Sequence, residues 1–596
     1  MTLSRLSPTT PLPPHVQPPV GKPESVGIVH LGWGAFHRAH QALYTQEAMA
    51  ASGDRSWGIL GDVERSPELV PALREQGGRF TVLEVGIDDA GAPTQVAKVV
   101  DSVVDVAYPG DETARLLLAM AAPSTRVITL TITEKGYTRG PDGHLDLSQA
   151  QPDVDAFRAE LDAPWLVLQY ACNCESTDPS PQWLEEHGVA CKYCRGYQNN
   201  CGECYHGYDY DNMVDYCDAC AHGNVPAHTG TNALPSNAER VVPAKTAIGL
   251  LVRGLLARYF GGGAPVTVLS CDNMAHNGKV LKTVVDEFIA AADDAVPSFE
   301  EVSSPSRNHG DAVSSSPEMT GFKKWLAENV TWPSSMVDRI TPRVEPKTLD
   351  QIAAAIGARD EAGISAEPFT QWVIEDNFAG DRPAWELAGA EFVPDVAPWE
   401  ETKLRMLNGT HSLLAYSGRI LGYPTMAEAM AAPEIAKHAR AYMFDDALPS
   451  ITVPEGADLP AYGEELLGRF ANPATGHTTA QVSTDGTQKI PFRWGAATQY
   501  ALDHGRVPDG VAYGLAAWSE FVRRAVRDGI DLGDPASAAT LTSIVHDAGV
   551  DSPVTVAKAL LTLPGLLPEG VGANPSLVDA VLKYVDELAA TTETVI

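Results

Sequence analysis

Apolar and polar positions in the first part of the chain follow the pattern of buried strands that alternate with helices. An apolar run at Val26–Leu31 predicts a buried strand, and helical spacing begins near Phe36. Further strands are predicted at Trp57–Gly61 and in the segments RFTVLEVG and VITLTITEKGY. Strands that alternate with helical segments favour an α/β fold with a parallel, doubly wound sheet.

This pattern is interrupted once and then changes. Residues 163–240 are rich in Cys, Tyr, Asn and Gly and show little periodicity, whereas KTAIGLLVRGLLARYF predicts an amphipathic helix. After about Val396 the apolar positions keep helical spacing. We therefore predict a flexible tail over residues 1–25, a Rossmann-like NAD(P)-binding domain over 26–394 with a Cys-rich insert at about 163–240, and an all-α substrate domain over 395–596.

The charge balance narrows the classes of partner. The 596 residues include 43 Lys and Arg against 77 Asp and Glu, a formal net charge of −34. Such a surface repels phosphate, so we expect no nucleic-acid partner, and an anionic substrate would need a locally positive pocket. No stretch reaches the roughly 18 apolar residues of a membrane span, and the Pro-rich N-terminus lacks the apolar segment of a secretory signal. We expect a cytoplasmic protein without a membrane partner; the sequence leaves the oligomeric state open.

Two glycines directly after the first strand indicate a nucleotide site. Gly32 and Gly34 form half of a dinucleotide-binding fingerprint, with His37 where the third glycine usually stands. Such glycines let backbone N–H groups approach a pyrophosphate at a helix N-terminus. Asp62, at the end of the second strand, is suited to accept ribose hydroxyls and favours NAD, while Arg65 leaves NADP open. The alternatives are a plain strand-to-helix turn and a capping aspartate.

Eight segments then occur in an order that is characteristic of one family. They are GWGAFHRAHQA, TITEKGY, LSCDNMAHNGKV, PSSMVDRITP, QWVIEDNF, RPAWE, VAPWEETKLRMLNGTHS and DGTQKIP. Together they resemble the mannitol dehydrogenase family, which includes mannitol 2-dehydrogenase, fructuronate reductase, tagaturonate reductase and arabinitol dehydrogenase. The resemblance spans most of residues 26–596. It implies a Rossmann-like domain, a helical C-terminal domain, a cleft between them, and metal-independent hydride transfer with NAD(P).

The residues themselves support that chemistry. Lys403, Asn408 and His411 lie in one predicted helix and, at about 100° per residue, share one broad face. Desolvation can make such a lysine a general base near neutral pH, and Asn273 and Asn408 can supply neutral donors to a developing alkoxide. The resemblance implies these same roles. The alternative for a lone helical lysine is a solvated surface charge.

The resemblance also implies the remaining site residues and leaves the substrate open. His411 would contact or orient a substrate hydroxyl, and Glu400 would assist proton passage to solvent. The other implied positions are Lys489 and Asp338 for substrate and Glu134 and Lys135 for cofactor, with a cap or brace of the strand end as the alternative for Asp338. Phe36, where the predicted helix begins after the two glycines, is a further cofactor candidate. Mannitol-type members often carry an arginine where this chain has Gln481, so mannitol/fructose and mannonate/fructuronate remain rival polyol or sugar-acid substrate pairs.

Eight of the nine cysteines fall between Cys172 and Cys220. In a reducing compartment such clustering indicates metal, because each C-x-x-C pair offers two thiolates to a tetrahedral zinc. The candidate structural zinc ligands are Cys191, Cys194, Cys201, Cys204, Cys217 and Cys220. The alternative is that this segment is an addition to the family fold that binds no metal. A different overall function, a zinc-stabilised protein-interaction module on a dehydrogenase scaffold, also stays open beside the enzyme.

Overall fold

The structure is a computed structural model that divides the chain into two compact units. It describes residues 3–64, 66–88, 92–140, 142–162, 241–294, 316–473 and 476–591, together with the backbone of two short strands between 206 and 217. The first unit contains Met1–Glu84 and Gln95–Val396, and the second contains Val85–Thr94 and Ala397–Ile596.

Fourteen strands are described, and most lie in three sheets. They are β1 Val26–Leu31, β2 Gly58–Asp62, β3 Phe80–Ile87, β4 Pro93–Val100, β5 Val103–Ala107, β6 Val127–Leu130, β7 His206–Asp209, β8 Val214–Cys217, β9 Val266–Ser270, β10 Val330–Thr331, β11 Ser335–Asp338, β12 Ile364–Ala366, β13 Gln371–Glu375 and β14 Glu391–Val393. The sheets run β10-β9-β6-β1-β2-β5, β12-β3-β4 and β11-β13-β14, and β7 pairs with β8.

The six-stranded sheet is parallel throughout and confirms the predicted Rossmann-like fold. In chain order its strands run 3-2-1-4-5-6, the order of dinucleotide-binding domains, whose ligands bind beyond the carboxyl ends of the strands. Its central strands are almost wholly buried, as expected when helices cover both faces. The predicted strand RFTVLEVG, however, is β3 of a separate sheet, where it pairs in parallel with β12.

Nine α-helices belong to the described part of the first unit. They are α1 Ala35–Ala39, α2 Gln41–Ser52, α3 Leu69–Glu75, α4 Pro109–Ala121, α5 Leu147–Asp162, α6 Ala247–Phe260, α7 Asn277–Asp294, α8 Pro317–Asn329 and α9 Pro346–Ile356. The prediction that α6 is amphipathic is wrong, because every residue from Ala247 to Arg258 is buried. Apolar residues surround the helix, and its Arg253 is paired with Glu160 at 2.6 Å.

The N-terminal residues do not form the flexible tail that the sequence predicted. The backbone N–H of Leu6 donates to the carbonyl of Arg359 at 2.7 Å, and that of Gln17 donates to Ala97 at 2.9 Å. The side chains of Leu6 and Val16 are buried. The prolines of this segment lack backbone N–H donors, but the remaining backbone hydrogen bonds and apolar contacts hold the segment on the first unit.

The part of the second unit that begins at Ala397 is helical, which confirms the predicted all-α part of the fold. Its α-helices are α10 Ala397–Thr402, α11 Gly409–Leu421, α12 Met426–Ala431, α13 Pro433–Ala441, α14 Leu459–Phe470, α15 Thr479–Val482, α16 Gly486–Ile490, α17 Ala496–Asp503, α18 Asp509–Asp528, α19 Ala538–Ala548, α20 Pro553–Leu561 and α21 Pro575–Ala589. Three π-helical segments interrupt this pattern, at Lys403–Asn408, Tyr442–Ala447 and Pro491–Gly495. None of the helices described in either unit is both long and apolar enough to cross a membrane.

Candidate active site

The turn after β1 has the backbone that a nucleotide site requires. Gly32 has φ +86°, and a Cβ there would collide with the carbonyl of Thr131, so only glycine fits. Gly34, just before α1, is open: an added Cβ would meet only the Gly32 oxygen, at 3.7 Å. Phe36 in the first turn is half-buried and stacks on His40 with ring centroids 5.0 Å apart. This turn can therefore admit a pyrophosphate close to the backbone of the helix N-terminus.

Asp62 closes β2 beside this turn. The residue is 1% exposed, and its Oδ1 has no hydrogen-bond partner among the described residues. Burial, with Glu64 adding to it, raises the pKa of this carboxyl well above its usual range. A buried carboxylate oxygen without a donor suits a ligand hydroxyl, such as that of a ribose.

The loop that carries Asn273 is fixed by a buried network. Asp272 accepts hydrogen bonds from the Tyr137 hydroxyl, from Ser270 Oγ at 2.6 Å and from the backbone N–H of Met274 at 3.0 Å. Burial raises the pKa of the Asp272 carboxyl. Asn273 itself is exposed. The network thus holds the loop while leaving the amide of Asn273 at its surface.

The same loop is joined to β11, which ends at Asp338. The Asn277 side chain donates to the Ser335 carbonyl at 2.8 Å and accepts from the Ser335 N–H at 3.0 Å. Asp338 is 4% exposed. Glu134 and Lys135 are exposed, and they begin the 3₁₀ turn that ends at the buried Tyr137.

In the second unit, Lys403 begins a π-helical segment within a continuous helix from Ala397 to Leu421. Lys403 and Glu400, one turn earlier, are 7% and 6% exposed. Asn408 ends the π segment and is half-buried. The one helix expected from the sequence is present, but its middle turn is wider, so the angular spacing inferred at 100° per residue does not hold there.

His411 lies on the following turn and is 8% exposed. Its ring packs on Phe470 and His477 at centroid distances of 4.7 and 5.4 Å, and its Nε2 has no partner in the described part of the chain. Burial lowers the pKa of His411 well below its usual value, and nearby positive charges lower it further. Those charges belong to His477, Arg493, Arg469 and Lys403. His411 is therefore a neutral imidazole near pH 7.

Lys489 and Gln481 occupy neighbouring short helices with different tasks. The Lys489 ammonium donates to Thr484 Oγ1 at 3.1 Å and stands 3.8 Å from an Asp485 oxygen. Gln481 forms a capping box with Thr478, in which each side chain accepts the other's backbone N–H at 3.2 Å. Gln481 is thus engaged in starting α15.

Comparisons with known proteins can be set against this geometry. Residues 26–387 match the mannitol dehydrogenase Rossmann domain, and residues 395–589 match the mannitol dehydrogenase C-terminal domain. The chain belongs to the mannitol dehydrogenase family. This confirms the family predicted from the eight ordered segments.

Individual relatives of this dehydrogenase are similar to it in sequence or structure over nearly the whole chain. The D-mannonate oxidoreductase of Escherichia coli (strain K12) is 33% identical over 568 residues, covering 94% of this chain and 93% of the relative. A structure of substrate-free D-sorbitol dehydrogenase is 25% identical with a TM-score of 0.70, covering 99% of this chain and 98% of that one. The Pseudomonas fluorescens mannitol 2-dehydrogenase ternary complex with NAD and D-mannitol is 26% identical with a TM-score of 0.67, covering 98% and 97%. The dehydrogenase is therefore a secondary-alcohol oxidoreductase.

Sequence reasoning missed the basic residues around His411. Arg493 lies four residues after Lys489, one helical turn further on, and this spacing was a usable signal. His477 and Arg469 gave no such signal, because they lie more than 50 residues from His411 in the chain and only folding places them beside it.

The zinc prediction concerns residues outside those whose side chains the structure describes. They are Cys191, Cys194, Cys201, Cys204, Cys217 and Cys220, of which only the backbone of Cys217 is described, in β8. Within the described ranges, no group of three or more His, Cys, Asp or Glu side chains could hold a metal ion. Zinc binding by this segment stays a prediction.

Proposed function

We propose that this dehydrogenase interconverts a polyol or aldonate with its ketose or keto-sugar acid, using NAD. The proposal is supported by the kinship with a D-mannonate oxidoreductase and with a mannitol 2-dehydrogenase whose structure holds NAD and D-mannitol. The observation that carries it is the burial of Lys403 on the same continuous helix as Glu400, Asn408 and His411.

Lys403 is the proposed general base. Its amine takes the proton of the substrate's secondary alcohol during oxidation and returns it during reduction. The burial of Lys403 supports this role, because withdrawal from water disfavours the charged form of an amine. Glu400, one turn before it, is proposed to pass that proton toward solvent.

The developing alkoxide needs neutral hydrogen-bond donors. Asn408 and Asn273 are proposed to supply side-chain N–H groups. Such donors stabilise the alkoxide without a cost of reorganisation when the segments that carry them are already fixed. The network around Asp272 supports this for Asn273. His411, kept neutral by burial, is proposed to orient a substrate hydroxyl.

The remaining candidates would hold substrate and cofactor. Lys489 and Asp338 are proposed to bind substrate hydroxyls. NAD, when bound, supplies the acceptor for the substrate's hydride. The proposed cofactor residues are Gly32, Gly34, Phe36, Asp62, Glu134 and Lys135. The orphaned oxygen of Asp62 supports a ribose hydroxyl there, and an acidic side chain at this position favours NAD over NADP.

Replacement of the proposed base tests this assignment. We expect Lys403→Ala to keep its fold and NADH affinity but to lose at least about 10²-fold in kcat, the lower end of acid–base contributions. Lys437→Ala removes an exposed lysine from the same unit and serves as the control. Turnover of Lys403→Ala within a few-fold of the control would remove Lys403 from the mechanism.

A further inference from the structure

A group of basic side chains surrounds His411, and the proposed proton and oxyanion steps use only one of them. Arg493 donates through Nη1 to Ser412 Oγ at 2.7 Å, and Ser412 directly follows His411. His477 stands edge-to-face against the His411 ring at 87°. Arg469, at the end of α14, contributes a further positive charge to the same imidazole.

Two imidazole nitrogens in this group have no hydrogen-bond partner among the described residues. They are Nε2 of His411 and Nδ1 of His477, each with almost no solvent contact. Burial lowers the pKa of both rings. An unpartnered buried nitrogen is costly unless a ligand satisfies it, so a polar group of the substrate is expected beside these rings.

The charge in this group is positive although the protein is acidic. Glu400 lies one turn before Lys403, and Asp485 lies 3.8 Å from Lys489. The charges that act on the His411 imidazole itself are positive, and two of them, Arg469 and Arg493, are permanent cations. In a chain with a net charge of −34, such a local excess attracts and orients an anion that the rest of the surface repels.

We propose that Arg493, together with His477, binds the carboxylate of a sugar acid, so that the preferred substrate pair is an aldonate and its keto-sugar acid. The proposal rests on the proposed function, because it assigns a substrate class to the same site. Arginine suits this task, since its planar guanidinium can hold a carboxylate through two parallel hydrogen bonds. Gln481 is uncharged and engaged in the capping box of α15, so it does not compete with Arg493 for a substrate carboxylate.

Fructuronate and fructose form a matched pair for the test, because they differ only in a carboxylate that replaces a terminal CH₂OH. We expect the wild type to show a higher kcat/KM for fructuronate. In Arg493→Gln, the KM for fructuronate should rise roughly 10- to 100-fold, the range for a hydrogen bond to a charged group, with kcat little changed. The KM for fructose should stay within about threefold of the wild-type value, and Arg493→Lys should recover part of the loss because it keeps the charge.

Controls separate binding from folding. Arg440→Gln removes the same charge from an exposed arginine of the second unit and should leave both KM values unchanged. If Arg493→Gln fails to fold, His477→Gln carries the same comparison, with a smaller selective rise in the KM for fructuronate. An equal loss for both sugars, or a wild type without preference for the acid, would overturn the proposal. Absence of NADH oxidation with these two sugars and also with tagaturonate and xylulose would instead contradict the proposed function.

Discussion

Asp62 shows at the scale of one residue how burial prepares a binding contact. Its Oδ1 is withdrawn from water without a donor from the described residues, an arrangement that a ligand hydroxyl would complete. The sequence could indicate this residue, because it follows a predicted strand. It could not indicate His477, whose importance comes from packing against His411, 66 positions earlier in the chain.

Removal of this carboxylate should alter cofactor use. We expect Asp62→Ala to raise the KM for NADH about 10- to 100-fold, because a buried ribose hydroxyl would lose its hydrogen-bond partner. The KM for NADPH should fall or stay constant, since removal of the side chain leaves room for the 2′-phosphate. Initial rates with both cofactors measure this, and Asp381→Ala, at an exposed aspartate of the same unit, is the control. Unchanged KM values for both cofactors would exclude Asp62 from the nucleotide site.

At the scale of elements, one tyrosine connects the three π-helical segments of the second unit. The hydroxyl of Tyr442 contacts the carbonyl oxygens of Arg405 at 2.6 Å and Arg493 at 3.1 Å, in the other two segments. Gly409 and Gly510 make this approach possible, because a Cβ at either position would collide with Tyr442. The segments that carry Lys403 and Arg493 are thus held against each other by a buried hydroxyl.

Loss of that hydroxyl should loosen both segments. We expect Tyr442→Phe to lower the free energy of unfolding by about 1–3 kcal/mol, since buried carbonyl oxygens lose their donor. We also expect a lower kcat, because Lys403 is positioned by one of these segments. Urea unfolding of Tyr442→Phe can be compared with Tyr423→Phe, which removes an exposed hydroxyl bond to Glu434 in the same unit. Equal stability of the two variants would show that the Tyr442 contact is not structural.

Elements with regular periodicity could be predicted from the sequence, and irregular ones could not. β1 and α11 follow from apolar spacing alone, whereas the π segments depend on tertiary contacts such as that of Tyr442. The error at α6 has a related cause: its two arginines suggest a polar face, yet both are buried and bonded within the unit. Periodicity reports which residues are polar but not whether a partner will bury them.

At the scale of the whole molecule, the helices before and after residues 163–240 are α5 and α6, and they contact each other in the first unit. Asp153 of α5 accepts hydrogen bonds from the backbone N–H and the hydroxyl of Thr246, at 2.9 and 2.8 Å, where α6 begins. Glu160 pairs with the buried Arg253. The two helices on either side of that segment are therefore joined directly to each other. Both lie within residues 26–387, which match the family's Rossmann domain.

The catalytic side chains proposed here belong to both units. Each was proposed from the family resemblance and is supported by the geometry of its own unit. Lys403, Asn273 and Asn408 could be proposed from ordered segments of the sequence, because each segment carries its chemistry within a few residues. The substrate could not, because the positive group around His411 is assembled from α11, α14, the turn before α15 and the π segment at Pro491–Gly495.

The central claim is tested most directly by NADH oxidation with the purified full chain. The assay compares fructuronate, tagaturonate, fructose and xylulose at equal concentration, with NADPH as the second cofactor. We predict rapid oxidation of NADH with a keto-sugar acid, slower oxidation with the neutral ketoses, and weaker use of NADPH. A folded protein that oxidises neither cofactor with any of the four sugars would contradict the account.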